Sequence, residues 1–94
     1  MEEITLKSNS DLEARLTVPN GTNKAIVLAH SFRNDFNTPI CRDAEARFSN
    51  NDYATLAFSF LGHGGSGGNM RDVGYRTVSE NVSDAVAHLR SEGF

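Results

Sequence analysis

The 94-residue sequence has one cysteine, Cys41, so it can form no internal disulfide, and a reduced, cytoplasmic setting is the expectation. It lacks an excess of basic charge. Nine Lys and Arg stand against twelve Asp and Glu, a net charge of −3, and no face gathers the cations a nucleic-acid partner requires. No stretch approaches the ~18 consecutive apolar residues of a membrane span. The opening "MEEITLKSNS" starts acidic and has no apolar core, so it does not read as a signal peptide. The three histidines, His30, His63 and His88, have no ligand spacing and no second cluster of thiols or carboxylates to complete a site. Neither a metal nor another cofactor is therefore expected. A chain this short makes one small domain that buries about 60–65% of its unfolded surface, so the core is modest.

What is present is a periodicity that changes along the chain. Ile4 to Leu6, and Leu12 to Val18, alternate apolar with polar residues, as half-buried strands do. "SNSD" between them supplies turn residues and predicts an antiparallel hairpin. Pro19-Asn20-Gly21 then breaks the chain. "AIVLA" (Ala25 to Ala29) is continuously apolar and of strand length, which predicts a strand covered on both faces, central in a sheet. "ATLAFSF" (Ala54 to Phe60) reads the same way. Between them runs a helical stretch with Ile40, Ala44 and Phe48 on one stripe, capped by Thr38, with Pro39 in its first turn.

The last segment predicts a helix from Val78 to Glu92. Thr77-Val78-Ser79-Glu80 has the form of a capping box, Val78, Val82, Ala85, Val86 and Leu89 line one face, and Gly93 stops it. Asp84 and His88 stand four apart on this helix and read as a solvated pair. Strand, helix and strand at this spacing imply a right-handed crossover and a parallel pair. The class is α/β: an antiparallel β-hairpin, then β-α-β-α, in a single domain over residues 1–94.

"LGHGGSGG" (Leu61 to Gly68) fits two motifs that exclude each other. Gly64 to Gly68 match G-x-S-x-G, the turn that carries a hydrolase's nucleophilic serine. Gly62 to Gly67 match the dinucleotide-binding G-x-G-x-x-G. Both motifs need a helix to open on the turn itself, yet the next predicted helix starts about ten residues later. The favoured reading is a glycine loop at the carboxyl end of a parallel strand, where α/β proteins place ligand sites.

"IVLAHSF" (Ile26 to Phe32) followed after one helix by "AFSFLGHGGSGG" (Ala57 to Gly68) resembles the amino-terminal part of an α/β-hydrolase. The likeness is to the esterase, feruloyl-esterase and serine-aminopeptidase-like branch, and it covers essentially the whole chain. In that branch the third strand ends in a triplet such as His-Gly-Phe. The fourth ends in a pattern like Asp-Phe-x-Gly-His-Gly-x-Ser-x-Gly, which corresponds to Ser59 through Gly68. The resemblance implies that the backbone N–H of Phe32 is an oxyanion donor, an interaction worth ~3 kcal/mol where such donors have been removed. It implies that His30 shapes the loop after the third strand, and that His63 and Ser66 order the loop after the fourth. Ser31 stands where the family has Gly, adding a Cβ where left-handed backbone would favour glycine, and Ser59 stands where it usually has Asp. Arg33, Asn34 and Asp35 border a substrate pocket by position alone.

In the family the nucleophile lies on the elbow after the fifth strand, and the acid and histidine follow it. By that resemblance the chain is an amino-terminal fragment that ends at "LRSEGF", carries an oxyanion loop and lacks the triad, so it is inactive alone. The family's strand order places a fifth strand beside Ala25 to Ala29. The expected partners are accordingly a small-molecule ester or amide once complemented, and a second copy or a complementing carboxyl-terminal segment on that strand edge. A thiol nucleophile at Cys41 with His30 or His63 is the weaker alternative to a small core residue. Two further readings are a non-catalytic module that binds a partner strand by its open edge and a flavodoxin-like nucleotide binder.

Overall fold

In a computed structural model, which describes every residue except Met1, Asn20 and Phe32, the alternating segments pair as a hairpin. β1 (Glu2–Lys7) runs antiparallel to β2 (Asp11–Thr17) with Leu6 opposite Leu12 and Ile4 opposite Ala14. β3 (Ala25–Ala29), α1 (Pro39–Asn50), β4 (Ala54–Phe58), a 3-10 turn (Met70–Asp72) and α2 (Tyr75–Ser91) follow. β4 joins the two halves of the sheet, antiparallel to β2 and parallel to β3, so the order is β1-β2-β4-β3. The expected α/β class, with its hairpin and parallel pair, is the observed one.

The register decides which side chains meet. Leu6, Leu12, Ala14 and Leu16 share a face with Leu56 and Phe58, and α2 lays Val78, Val82, Ala85 and Leu89 over it, with Phe60 and Leu61 closing the cluster. The opposite face carries Ala57 and Leu28 and packs against Phe36 and against Cys41 of α1. β4 is buried at every position because it is paired along both edges and covered on both faces. Truncating Leu56 or Phe58, each fully buried, would cost about 2–5 kcal/mol.

Several expectations change. "AIVLA" is the edge strand, half-exposed along its length, because pairing is found only on its β4 side among the described residues; β4 takes the central place. On α1 the apolar stripe is not the most buried face: Ile40 is 84% exposed and Ala44 and Phe48 are half-buried, while Cys41 and Glu45 are buried. The cause is Arg15 of β2. Its guanidinium reaches from the sheet to both oxygens of Glu45 (Nε to Oε2 2.7 Å, Nη2 to Oε1 2.5 Å), and this pair turns the Glu45 side of α1 inward. Thr38 and Pro39 do start the helix, with the Thr38 hydroxyl accepting from the Cys41 amide at 3.4 Å.

α2 begins three residues earlier than the sequence pattern suggests. Gly74 is its N-cap, and Thr77, in its first turn rather than at the cap, accepts the Gly74 N–H at 2.8 Å. Asp84 and His88 do not pair: Asp84 accepts from the Ser8 hydroxyl of the hairpin turn at 2.5 Å, and His88 lies 3.6 Å from Glu92. The sequence pattern treated Asp84 as solvated because nothing local reveals that the β1–β2 turn packs onto α2.

Candidate functional site at the carboxyl ends of β3 and β4

Parallel strands end on the same side of a sheet, so the segments after β3 and β4 emerge together. His30 follows β3 and Ser59 follows β4, and side chains of each segment bond the other. The Nε2 of His30 accepts the Phe60 N–H at 3.0 Å, and its Nδ1 lies 2.6 Å from the Ser31 carbonyl oxygen. A backbone amide can only donate, so Nε2 bears no proton, and Nδ1 donates to Ser31. The ring is neutral, and burial lowers its pKa below the ordinary value. It meets the Phe60 ring edge-on and lies 4.9 Å from the His63 ring.

Ser59 holds the first segment from below. It is fully buried, and its hydroxyl accepts the Phe36 N–H at 3.2 Å. Arg15 holds the same segment from the side, donating to the Phe36 carbonyl at 3.1 Å and to Asn37 at 3.0 Å while its guanidinium lies over the Phe36 ring. Within the segment Asn34 donates to the Ser31 hydroxyl at 2.5 Å, and Asp35 accepts the Asn37 amide at 2.8 Å. Ser31 does not take up left-handed backbone; Arg33 does, with φ 66°. The Cβ of Ser31 thus meets no glycine-only conformation, and the chain reverses two residues later. Phe32, the expected oxyanion donor, lies outside the described residues.

The glycine loop is bonded back onto β2. Ser66 donates to the Ser59 carbonyl at 2.6 Å and accepts the Glu13 N–H at 2.9 Å. The Gly67 N–H donates to the Asp11 carbonyl at 2.7 Å, and the Gly65 N–H to the Glu13 carboxylate. These bonds occupy the hydroxyl that an elbow would present and two of the amides that a phosphate cradle would present. The 3-10 turn at Met70–Asp72, not α2, follows the loop. His63 is buried with its Nδ1 2.9 Å from the Leu61 carbonyl. The loop's floor is Asn81 of α2: fully buried, it accepts the Leu61 N–H at 3.0 Å and donates to Ser8 and Asn9, each at 3.0 Å.

The structure brings the rings of His30 and His63 to 4.9 Å, while Ser31 and the exposed Arg33 stay on the segment after β3, and Ser66 stays on the loop after β4, bonded to Ser59 and Glu13. Sequence reasoning missed the supports beneath them, Glu13, Arg15, Glu45 and Asn81. Asn81 left a signal, since it sits on the same helical face as Val78 and Ala85. Cys41 is buried against Phe36 and Ala57, and burial raises its pKa, which opposes thiolate chemistry. Beside the loops lies a polar cleft of about 520 Å³ lined by Glu3, Asp11, Glu13, Phe36, Asn37 and Gly65 among others. No His, Cys, Asp or Glu cluster suited to a metal occurs among the described residues. No helix among them is long and apolar enough to cross a membrane.

No protein-family model and no curated protein matches this sequence. Solved structures do. Est1E from Butyrivibrio proteoclasticus, solved with ferulic acid bound, superimposes with a TM-score of 0.82 at 21% identity, over 100% of this chain and 39% of its own. The esterase PF2001 of Pyrococcus furiosus gives 0.83 at 22% identity, over 96% of this chain and 34% of its own. The α/β hydrolase GrgF from Penicillium sp. sh18 gives 0.86 at 20% identity, over 95% and 32%. The chain spans less than half the length of each of these proteins. A hairpin, a parallel pair and two helices in this order, superimposing on that part of each, give the chain the fold of the amino-terminal portion of an α/β-hydrolase.

Proposed function

We propose that the chain is the amino-terminal part of a serine hydrolase acting on carboxylic esters, thioesters or amides. One observation carries the reading: the segments after β3 and β4 are cross-bonded by His30–Phe60 and Ser59–Phe36, so His30 and Phe36 are each tied to the segment after β4. An oxyanion donor works best on a loop anchored by such bonds, because its orientation then costs nothing at the moment of reaction. Phe32 supplies that donor in this reading, with His30, Ser31, Arg33, His63 and Ser66 shaping the loops around it. The complete enzyme transfers an acyl group through an acyl-serine that a histidine activates. Nucleophile, acid and base come from a complementing segment, and the 94 residues alone are inactive.

The test is hydrolysis of p-nitrophenyl acetate, first by the chain alone and then in a chimera that joins it to the unmatched carboxyl-terminal part of Est1E. Turnover by the chimera, lost on replacing the nucleophilic serine of the Est1E part, supports the reading. Turnover by the 94-residue chain alone, abolished by Ser66→Ala, would move the nucleophile to Ser66 and overturn it. The alternative, a non-catalytic module that binds through its sheet edge, is favoured by the half-exposed β3. An inactive but well-folded chimera would point to it.

A further inference from the structure

Arg15 joins α1 to the loop that leads into it. Two of its hydrogen bonds go to the Glu45 carboxylate, and two go to the loop, from Nη2 to the Phe36 carbonyl at 3.1 Å and from Nη1 to the Asn37 side-chain oxygen at 3.0 Å. We propose that Arg15 is a positioning residue for acyl transfer: held by Glu45, it fixes the place of Phe36 and so of the loop on which the expected oxyanion donor Phe32 lies. This role rests on the hydrolase reading proposed above.

Phe36 is fixed on three sides. Its N–H donates to the Ser59 hydroxyl at 3.2 Å, its carbonyl accepts from Arg15, and its ring centre lies 4.4 Å from the guanidinium carbon. At the other end of the loop His30 is tied to Phe60. Residues 31–35 run between these anchors, and Phe32 falls among them in sequence. A displacement of about 1 Å at a reacting centre can cost about 100-fold in rate. An anchor on the same short loop is close enough to produce one.

Stability alone does not call for this arrangement. Burying a guanidinium and a carboxylate costs desolvation, and replacing both partners of such a pair by apolar side chains of similar volume is often neutral or stabilising. What apolar side chains cannot supply is direction. The planar fork of arginine grips the carboxylate along one edge and presents its remaining N–H groups at fixed angles, here to Phe36 and Asn37. Arg42, half-exposed on α1, approaches the same carboxylate only to 3.9 Å and does not take over the fork. β4 separates β2 from β3, so a further strand beside β3 leaves this cluster as it is.

The experiment uses the chimera with the carboxyl-terminal part of Est1E and p-nitrophenyl acetate. Arg15→Met/Glu45→Leu removes both charges together and should keep the melting temperature near that of the unmodified chimera, while kcat falls about 10–100-fold with KM nearly unchanged. Asn37→Ala removes one loop bond at an exposed position and should lower kcat by a smaller factor. Added to the double variant it should lower kcat no further, since both act through one anchor. Amide exchange should quicken at Asn34, Phe36 and Asn37 and stay unchanged in β1 to β4. If the double variant fails to fold, Asn37→Ala decides. An active chimera whose kcat these variants leave unmoved, or whose losses follow a lowered melting temperature with exchange quickened throughout, would overturn the positioning role. An unmodified chimera that folds but hydrolyses nothing would instead overturn the hydrolase reading, and the catalytic role of Arg15 with it.

Discussion

The Nε2 of His30 accepts the backbone N–H of Phe60 at 3.0 Å, tying the end of β3 to the end of β4. The bond fixes the tautomer and joins the two segments on which any chemistry at this end of the sheet depends. Removing the acceptor in His30→Ala leaves the Phe60 amide short of a partner and should cost about 1–3 kcal/mol, read as a lower urea midpoint with an unchanged slope.

The same histidine makes stability pH-dependent. The folded pKa of His30 is lowered, chiefly by burial, with the Ser31 carbonyl opposing and His63 adding to the lowering. Between the folded and unfolded values the unfolded chain binds the extra proton. The contribution is therefore complete above the ordinary histidine value of about 6.5 and is lost as pH falls through that value towards the folded one. Urea midpoints at about pH 7.5 and about pH 5 should differ in the wild type and differ less in His30→Ala. Equal differences in both would assign the effect to another group.

Glu45→Ala should be among the most damaging substitutions on α1. It strips the buried Arg15 guanidinium of the partner that holds its pKa up, and breaking such a pair costs about 3–5 kcal/mol. Ile40→Ala on the same helix should change stability by about 0.5 kcal/mol or less, since Ile40 is exposed. Chemical denaturation of the two variants would rank them, and the sequence stripe alone ranks them the other way.

Gly21 and Gly62 have nearly the same positive φ, 70° and 73°, in different surroundings. A Cβ on Gly21 meets open space, so Gly21→Ala carries only the left-handed backbone cost of about 1–2 kcal/mol. A Cβ on Gly62 would come within 2.6 Å of the Met70 backbone nitrogen, which cannot swing away. Gly62→Ala should cost about 1–3 kcal/mol more, measurable as a further drop in melting temperature.

Asn81→Leu should open the loop after β4 locally. It removes the acceptor of the Leu61 N–H and the donor to Ser8 and Asn9. A loss of about 1–3 kcal/mol is expected, with faster amide exchange concentrated at Leu61 and the hairpin turn. Exchange that quickened uniformly would mean Asn81 supports the whole fold rather than this contact.

The elements of this protein are legible in its sequence because each rests on local periodicity. Leu12, Ala14 and Leu16 alternate and so make a strand with one apolar face, and Thr38-Pro39 starts a helix by capping its first free amides. The order of those elements sets the parallel pair, since a crossover between strands has one favoured hand. What tertiary structure decided is which partner each polar side chain found. Arg15 and Asn81 sit at positions the pattern assigns to solvent or to an apolar stripe, and they are buried because Glu45 lies 30 residues away in the first case and Leu61 lies 20 residues away in the second. Ser66 matches two active-site motifs by spacing, yet bonds to Ser59 and Glu13 place its hydroxyl in a structural staple. A hydrogen bond depends on distance in space, and separation along the chain does not record it.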